Sequence, residues 1–198
     1  YPGEPSYDPQ FTIACAKVLG AARRRPKAFR PASVINVSGM SFGSLSGPAV
    51  ESLNRGAHIA GCLQTTGEGG ISQYHLKGGD LVWQVGTGYF GCREADGRFS
   101  MARLKEAVAR CPQVRAIEIK LSQGAKPGIG GLLPKAKISA EIAEVRGIPR
   151  DRDCISPAAH SAFGDPDELL DFVEAIAAET GLPVGIKSAV GESAFWAE

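Results

Sequence analysis

The chain has almost no net charge, since 22 Lys and Arg stand against 21 Asp and Glu over 198 residues. Such a balance gives no electrostatic ground for nucleic acid or an anionic membrane surface as partner. The one basic run, "RRRPKAFR" (Arg23 to Arg30), follows an apolar segment and is broken by Pro26, so it reads as a solvated helix end rather than a phosphate-binding patch. Paired cysteines are also missing. The five present (Cys15, Cys62, Cys92, Cys111 and Cys154) are odd in number and contain no CxxC. This speaks against a disulfide frame or a zinc site and fits reduced thiols in a cytoplasmic protein, with no metal expected. No apolar run is long enough to span a bilayer, and no signal peptide is recognisable. An initiator methionine is absent, and the last residues, "GESAFWAE" (Gly191 to Glu198), read like the opening of a helix. A fragment of a longer protein is therefore expected.

With 43% hydrophobic residues, the chain can bury a core, and one domain is the default. Residues 1–32 read as an N-terminal arm, "YPGEPSYDPQ", followed by a helix over Phe11–Ala22. From 33 to 198 short β-rich runs recur: Val34–Val37, Cys62–Thr65, Leu81–Val85, Ala116–Lys120, Asp153–Ser156 and Pro183–Lys187. Helical patterns over Pro48–Ala60, Ser100–Arg110, Ser139–Arg146 and Pro166–Thr180 lie between most of them, with only a short helix expected around Ile71–Leu76. The last helix is the best marked: Asp165 as N-cap, Pro166 at the first position, Glu168 at capping-box spacing and Gly181 as stop. Strands alternating with helices imply a parallel sheet.

A (β/α)8 barrel and an open doubly wound sheet both fit that alternation. Polar residues decide between them. Ser38 and Ser41, Thr65 and Thr66, Gln84, Lys120, Ser156 and Lys187 each close one of the expected strands. An open sheet concentrates its ligand at one switch point, whereas a barrel gathers groups from the C-terminal ends of most strands. The barrel is expected, with about six of its eight βα units present.

Several motifs have bland readings beside the chemical ones. "GTGYFG" (Gly86 to Gly91) has dinucleotide-fingerprint spacing, but no helix is expected before Ser100, so a glycine-bearing turn is the better account. "SGMSFGSLSG" (Ser38 to Gly47) reads as a flexible loop whose backbone N–H groups can approach a ligand closely. Glu68 in "TTGEGG" is a surface turn carboxylate or a site carboxylate, with nothing in the stretch to choose between them. Lysines are ill suited to buried strands, so Lys120 and Lys187 at two strand ends point to a cationic pocket; the alternative is that both emerge into solvent. His160 in "SPAAHSAFG" reads as a structural hydrogen-bonder or an acid–base group.

Taken together, "SGMSFGSLS" (38–46), "TTGEGG" (65–70), "WQVGTGYFGC" (83–92), "IEIKLSQGAKPGIGGLLP" (117–134), "KISAEIAEVRG" (137–147), "ISPAAH" (155–160) and "VGIKSAVG" (184–191) resemble the FMN-binding synthase domain of the glutamate synthase family. The resemblance implies a TIM barrel with FMN at its C-terminal mouth and a reductive reaction. In that reaction 2-oxoglutarate and ammonia form 2-iminoglutarate, which hydride from reduced FMN converts to L-glutamate. By position, Gly39, Met40 and Ser41 would line the flavin, with Thr65, Thr66, Gln84, Lys120 and Lys187 around its ring edge and ribityl chain. Lys187 is the first choice for the cation beside the flavin pyrimidine. Lys126 and Gln123 would take the substrate carboxylates, Glu68 would face the same chamber, and Ser156 and His160 would border the substrate. Glu68, Lys120 and Lys126 form the implied catalytic set.

Some of the family's features fall outside these residues. The FMN phosphate site belongs to the last two barrel units. An iron–sulfur cluster is implied only for the complete protein, since no cysteine here has the required spacing. No glutaminase domain is present. On that basis this polypeptide alone is expected neither to hold FMN tightly nor to turn over. A keto-acid substrate and an electron-donor protein or subunit are the implied partners. Other readings are a different FMN barrel, such as a 2-hydroxyacid oxidase, and a non-catalytic barrel remnant serving as scaffold.

Overall fold

In the computed structural model, which describes residues 17–124 and 130–191, four strands pair in parallel: β1 (Gln64–Thr65), β2 (Leu81–Val85), β3 (Val114–Lys120) and β6 (Val184–Lys187). Their order is β1-β2-β3-β6, and a single parallel bridge joins Val37 to Gln64. The sheet thus follows the chain from Val37 to Lys187 without reversing. The Val34–Val37 run contributes only that bridge, because Val34 and Ile35 are exposed and have no face to bury.

Side-chain alternation explains the two faces. Leu81, Trp83 and Val85 of β2 and Ile117 and Ile119 of β3 point one way, into the main core. There they meet Leu104 of α2 (Met101–Arg110) and Leu169, Val173 and Ile176 of α4 (Pro166–Thr180). The intervening residues, Val82 and Gln84, and Ala116, Glu118 and Lys120, belong to the inner face by the period-two rule. Phe29 and Leu63 pack on Ala116 and Val82 near the N-terminal end of that face.

Two expectations need correction. The Asp153–Ser156 run does not join the parallel sheet. Its core, β5 (Cys154–Ile155), pairs antiparallel with β4 (Leu132–Leu133), and β3 pairs directly with β6. A strand covered by helices on both sides buries both faces, whereas Ile155 is 70% exposed and Leu132 58%. Gly130 also lies so close to Ser156 that a Cβ there would stand 1.8 Å from its carbonyl oxygen, which fastens the ribbon locally.

The second correction concerns Phe11–Ala22. Residues 11–16 lie outside the described part, and 17–22 are not helical. Leu19 and Phe29 exchange backbone hydrogen bonds of 2.8 and 3.1 Å around a turn entered at Gly20, whose φ of +82° suits glycine. The basic run is therefore a series of turns, with Arg25 paired to Glu174 of α4 at 2.5 Å, rather than a helix end.

The helices start and stop where small polar residues and glycine dictate. Ser46, Ser100, Ser139 and Asp165 cap α1 (Gly47–Ala60), α2, α3 (Ala140–Arg146) and α4, each accepting a backbone N–H. Gly61, Gly147 and Gly181 end three of them in left-handed conformation. Glu168 reaches past the expected capping box to accept from the Gly164 N–H at 2.7 Å. Buried Asn54 ties α1 to the sheet: it donates to Gln64 (2.7 Å) and accepts from the N–H groups of Lys77 and Gly79 (2.8 and 3.1 Å).

The helix expected around Ile71–Leu76 is a single 3-10 turn, Gln73–His75. Its His75 is fully buried, and Nδ1 accepts from the Ser72 N–H at 3.1 Å. Burial pushes the His75 pKa down to about 4, with the Thr66 backbone only partly offsetting it. A base whose folded pKa is depressed stabilises the fold fully above its unfolded value near 6.5, and loses that contribution as pH falls toward 4. The difference corresponds to about 3 kcal/mol. Urea titrations at pH 7, 5.5 and 4 are expected to show that decline. His75→Asn, whose side-chain oxygen can take the place of Nδ1, should flatten it.

Candidate functional site

The C-terminal ends of the parallel strands converge on one carboxylate. Lys120 closes β3 with its side chain 11% exposed, and Nζ donates to Glu68 Oε2 at 2.8 Å and to Gln123 Oε1 at 3.0 Å. Glu68 comes from the turn after β1, and its Oε1 accepts from the Ser156 hydroxyl at 3.2 Å. The carboxylate sits tightly against the ribbon: a Cβ on Gly131 would lie 2.6 Å from Glu68 Oε1. A cavity of about 20 Å³, room for one water molecule, is bounded by Glu68, Thr87, Lys120, Gln123 and Gly131 among others.

Lys187 stands beside Lys120 in the β3–β6 register, half-buried, and its side chain has no hydrogen bond or ion pair among the described residues. Two cations thus share one edge of the inner face, and Glu68 neutralises one of them. Lys126, expected to bind a substrate carboxylate, lies outside the described residues.

The loop after Val37 forms the facing wall. Gly39 lies against Gln84 and Thr65: a Cβ there would come within 3.1 Å of Gln84 Nε2 and 3.3 Å of the Thr65 methyl. Met40 is half-buried and Ser41 buried, the latter donating to Ser44 at 3.0 Å. Gln84 donates to Glu118 Oε1 at 2.5 Å. Thr65 is half-buried beside this wall. Thr66 is fully buried, and its hydroxyl is spent on the Gly67 carbonyl (2.9 Å) and the Gln84 N–H (3.1 Å).

His160 is brought to the site's underside rather than into it. Its Nε2 contacts the Lys120 carbonyl at 2.8 Å and Nδ1 the Tyr89 hydroxyl at 3.1 Å. A carbonyl only accepts, so Nε2 carries the proton and Nδ1 takes the tyrosine O–H. Burial holds the His160 pKa below its ordinary value, consistent with the neutral ring. The Tyr89 oxygen also accepts the N–H groups of Ser161 and Ala162, both at 3.1 Å. This pins the 160–162 loop beneath β3.

Sequence reasoning missed Arg146. It ends α3 and is 4% exposed, yet makes no ion pair among the described residues. The guanidinium donates to the Phe42 carbonyl at 2.9 Å and to Ser41 Oγ at 3.4 Å, and it lies 5.1 Å over the Phe90 ring. Nε finds no acceptor among the described residues, and burial lowers the arginine pKa. In sequence it is an ordinary cation in a last helical turn; only its burial sets it apart. A cavity of about 640 Å³ lies elsewhere, beside the start of β3 at Val114 and the Lys105–Glu179 ion pair.

The expected turn over Gly86–Gly91 is confirmed, since no helix begins between the end of β2 at Val85 and Met101. No described helix is long and apolar enough to cross a membrane.

Comparison with known proteins places the chain in a family. The family model described as the conserved region in glutamate synthase matches residues 13–194. The glutamate synthase large subunit-like protein YerD of Bacillus subtilis (strain 168) is 42% identical over 167 residues, covering 83% of this chain and 31% of that protein. The archaeal-type glutamate synthase [NADPH] of Thermotoga maritima is 39% identical over 153 residues, 76% of this chain and 27% of the relative. The archaeal glutamate synthase [NADPH] of Methanocaldococcus jannaschii is 36% identical over 163 residues, 81% and 29% respectively. The chain thus spans under a third of the length of these relatives. It belongs to the glutamate synthase family.

Proposed function

We propose that the chain forms part of an FMN-dependent (β/α)8 barrel that reduces 2-iminoglutarate, formed from 2-oxoglutarate and ammonia, to L-glutamate. Supporting the barrel are the unreversed strand order and the gathering of polar groups at the strands' C-terminal ends. The observation that carries the functional reading is Lys120 in register with Lys187, beside Glu68.

The inner face suits a flavin: a glycine wall at 39–41, the Gln84 amide, and an unpaired cation, Lys187, able to stabilise an anionic ring. When bound, FMN would supply the hydride for the imine carbon. Lys120, Gln123 and Arg146 would orient a dicarboxylate by charge-assisted hydrogen bonds, with Lys126 as a further cation. Glu68 can accept a proton next to Lys120 while Ser156 holds its other oxygen. An iron–sulfur cluster does not fit the described residues, among which no three His, Cys, Asp or Glu side chains gather.

The test uses the full-length protein. Bound flavin, reduced without oxygen, should reoxidise on adding 2-oxoglutarate with ammonium, and glutamate should appear. Reduction of the oxidised flavin by a 2-hydroxy acid would favour the oxidase reading instead. A protein that takes up no flavin would favour a scaffold.

A further inference from the structure

Gln84 and Glu118 are direct register partners on β2 and β3, and both side chains belong to the inner face. Their 2.5 Å contact joins Gln84 to Glu118 Oε1. An ionised carboxylate has no proton to give, so the Gln84 atom in that contact must be the amide nitrogen. The usual ambiguity between the two ends of a glutamine amide is therefore resolved by chemistry. With the nitrogen committed to Glu118 and backed by Gly39, the Gln84 carbonyl oxygen is left without a donor among the described residues. The residue is only 2% exposed and its oxygen is not among the sealed-off polar atoms, so a ligand that covers the inner face must supply a donor there in place of water.

We propose that Glu118 is a positioning residue that locks Gln84 with its acceptor oxygen outward, so that the site selects a ligand presenting an N–H donor there. This rests on the flavin reading, in which the imide N3–H of FMN is that donor. Turning the amide over would set its oxygen against the Glu118 carboxylate, and the repulsion forbids it. Glu118→Gln removes the restriction, because an amide partner satisfies either orientation.

The experiment measures FMN and 3-methyl-FMN binding to the full-length protein by flavin absorbance. Methylation replaces the N3–H with a methyl group, so the analogue loses a donor and adds bulk, and only the part of the preference that depends on Glu118 reports the donor. The wild type should favour FMN by about tenfold, the order expected when a buried acceptor is left unpaired. In Glu118→Gln that preference should fall by several-fold at unchanged melting temperature, and Glu118→Asp, which keeps the carboxylate, should recover part of it. A role in stability alone would not move the selectivity. A wild type that binds both flavins equally, or a Glu118→Gln variant with the wild-type preference, overturns the inference alone. A wild type that binds neither overturns the flavin reading and this inference with it.

Discussion

Lys120→Met is expected to destabilise the 198-residue chain by about 1–3 kcal/mol, and to lower kcat/KM of the full-length protein by about 100- to 1000-fold. Methionine keeps most of the stem, so lost volume contributes little. What changes is Glu68, whose side chain is only 18% exposed and would retain a single donor, the Ser156 hydroxyl. Gln123 Oε1 would lose its donor as well. Removing one member of a shielded pair costs more than the pair contributes, because the remaining charge is stranded. Lys105 and Glu179 provide the contrast: their 2.5 Å contact looks as strong, but both side chains are about half exposed. Solvent and salt screen such a pair, so Lys105→Met should fall within about 0.5 kcal/mol of wild type. Urea unfolding of the two variants separates the cases. Equal losses would mean that Lys120 does emerge into solvent.

Much of the fold was legible because its signals are local. The α4 limits, Pro166–Thr180, follow from an aspartate cap, a first-turn proline and a terminal glycine. Leu81–Val85 is bounded as expected, by a continuous apolar run set between turn residues. The failures share a different cause. "FTIACAKVLGAA" has helical composition, but the pairing of Leu19 with Phe29 is decided by a contact ten residues away and by the fit of Gly20 against Pro183. "DCIS" has strand composition, but which strand it pairs with depends on Gly130 and Gly131 folding back onto Ser156. Composition indicates that a residue can extend, not which partner it meets.

The site divides along the same line. Lys120 and Lys187 stood out because lysine is costly inside a strand, and the register brings them together. Glu68 could not be told from a surface turn until its partners were placed. Arg146 and Tyr89 carry no signal in their own neighbourhoods: one reads as a helix-end cation, the other as a loop aromatic. Their roles lie in burial and in hydrogen bonds to residues 71 or more positions away, from Arg146 to Phe42 and from Tyr89 to His160. The separations, 104 and 71 positions, lie well beyond any local pattern.

Gly67→Ala should be strongly destabilising, costing about 2–5 kcal/mol. Two penalties add. Gly67 has φ of +71°, a conformation that costs an L-residue about 1–2 kcal/mol. Its new Cβ would also stand 2.5 Å from the Ser41 nitrogen and 2.9 Å from Met40 C and Ser41 Cα. All three are backbone atoms and cannot rotate away, so overpacking adds about 1–3 kcal/mol. Relief requires the 39–41 loop to separate from the turn carrying Glu68. That movement would take Gly39 off Gln84 and Thr65, so in the full-length protein flavin binding should weaken together with stability. Gly56→Ala is the matched control. It lies in the exposed middle of α1 with no atom within 4 Å of the added carbon, so the change should stabilise by up to about 1 kcal/mol. Thermal melts of the two variants should therefore move in opposite directions. If Gly67→Ala melts with the wild type, the two loops do not meet as described, and the 39–41 wall cannot be the one that holds a flavin ring.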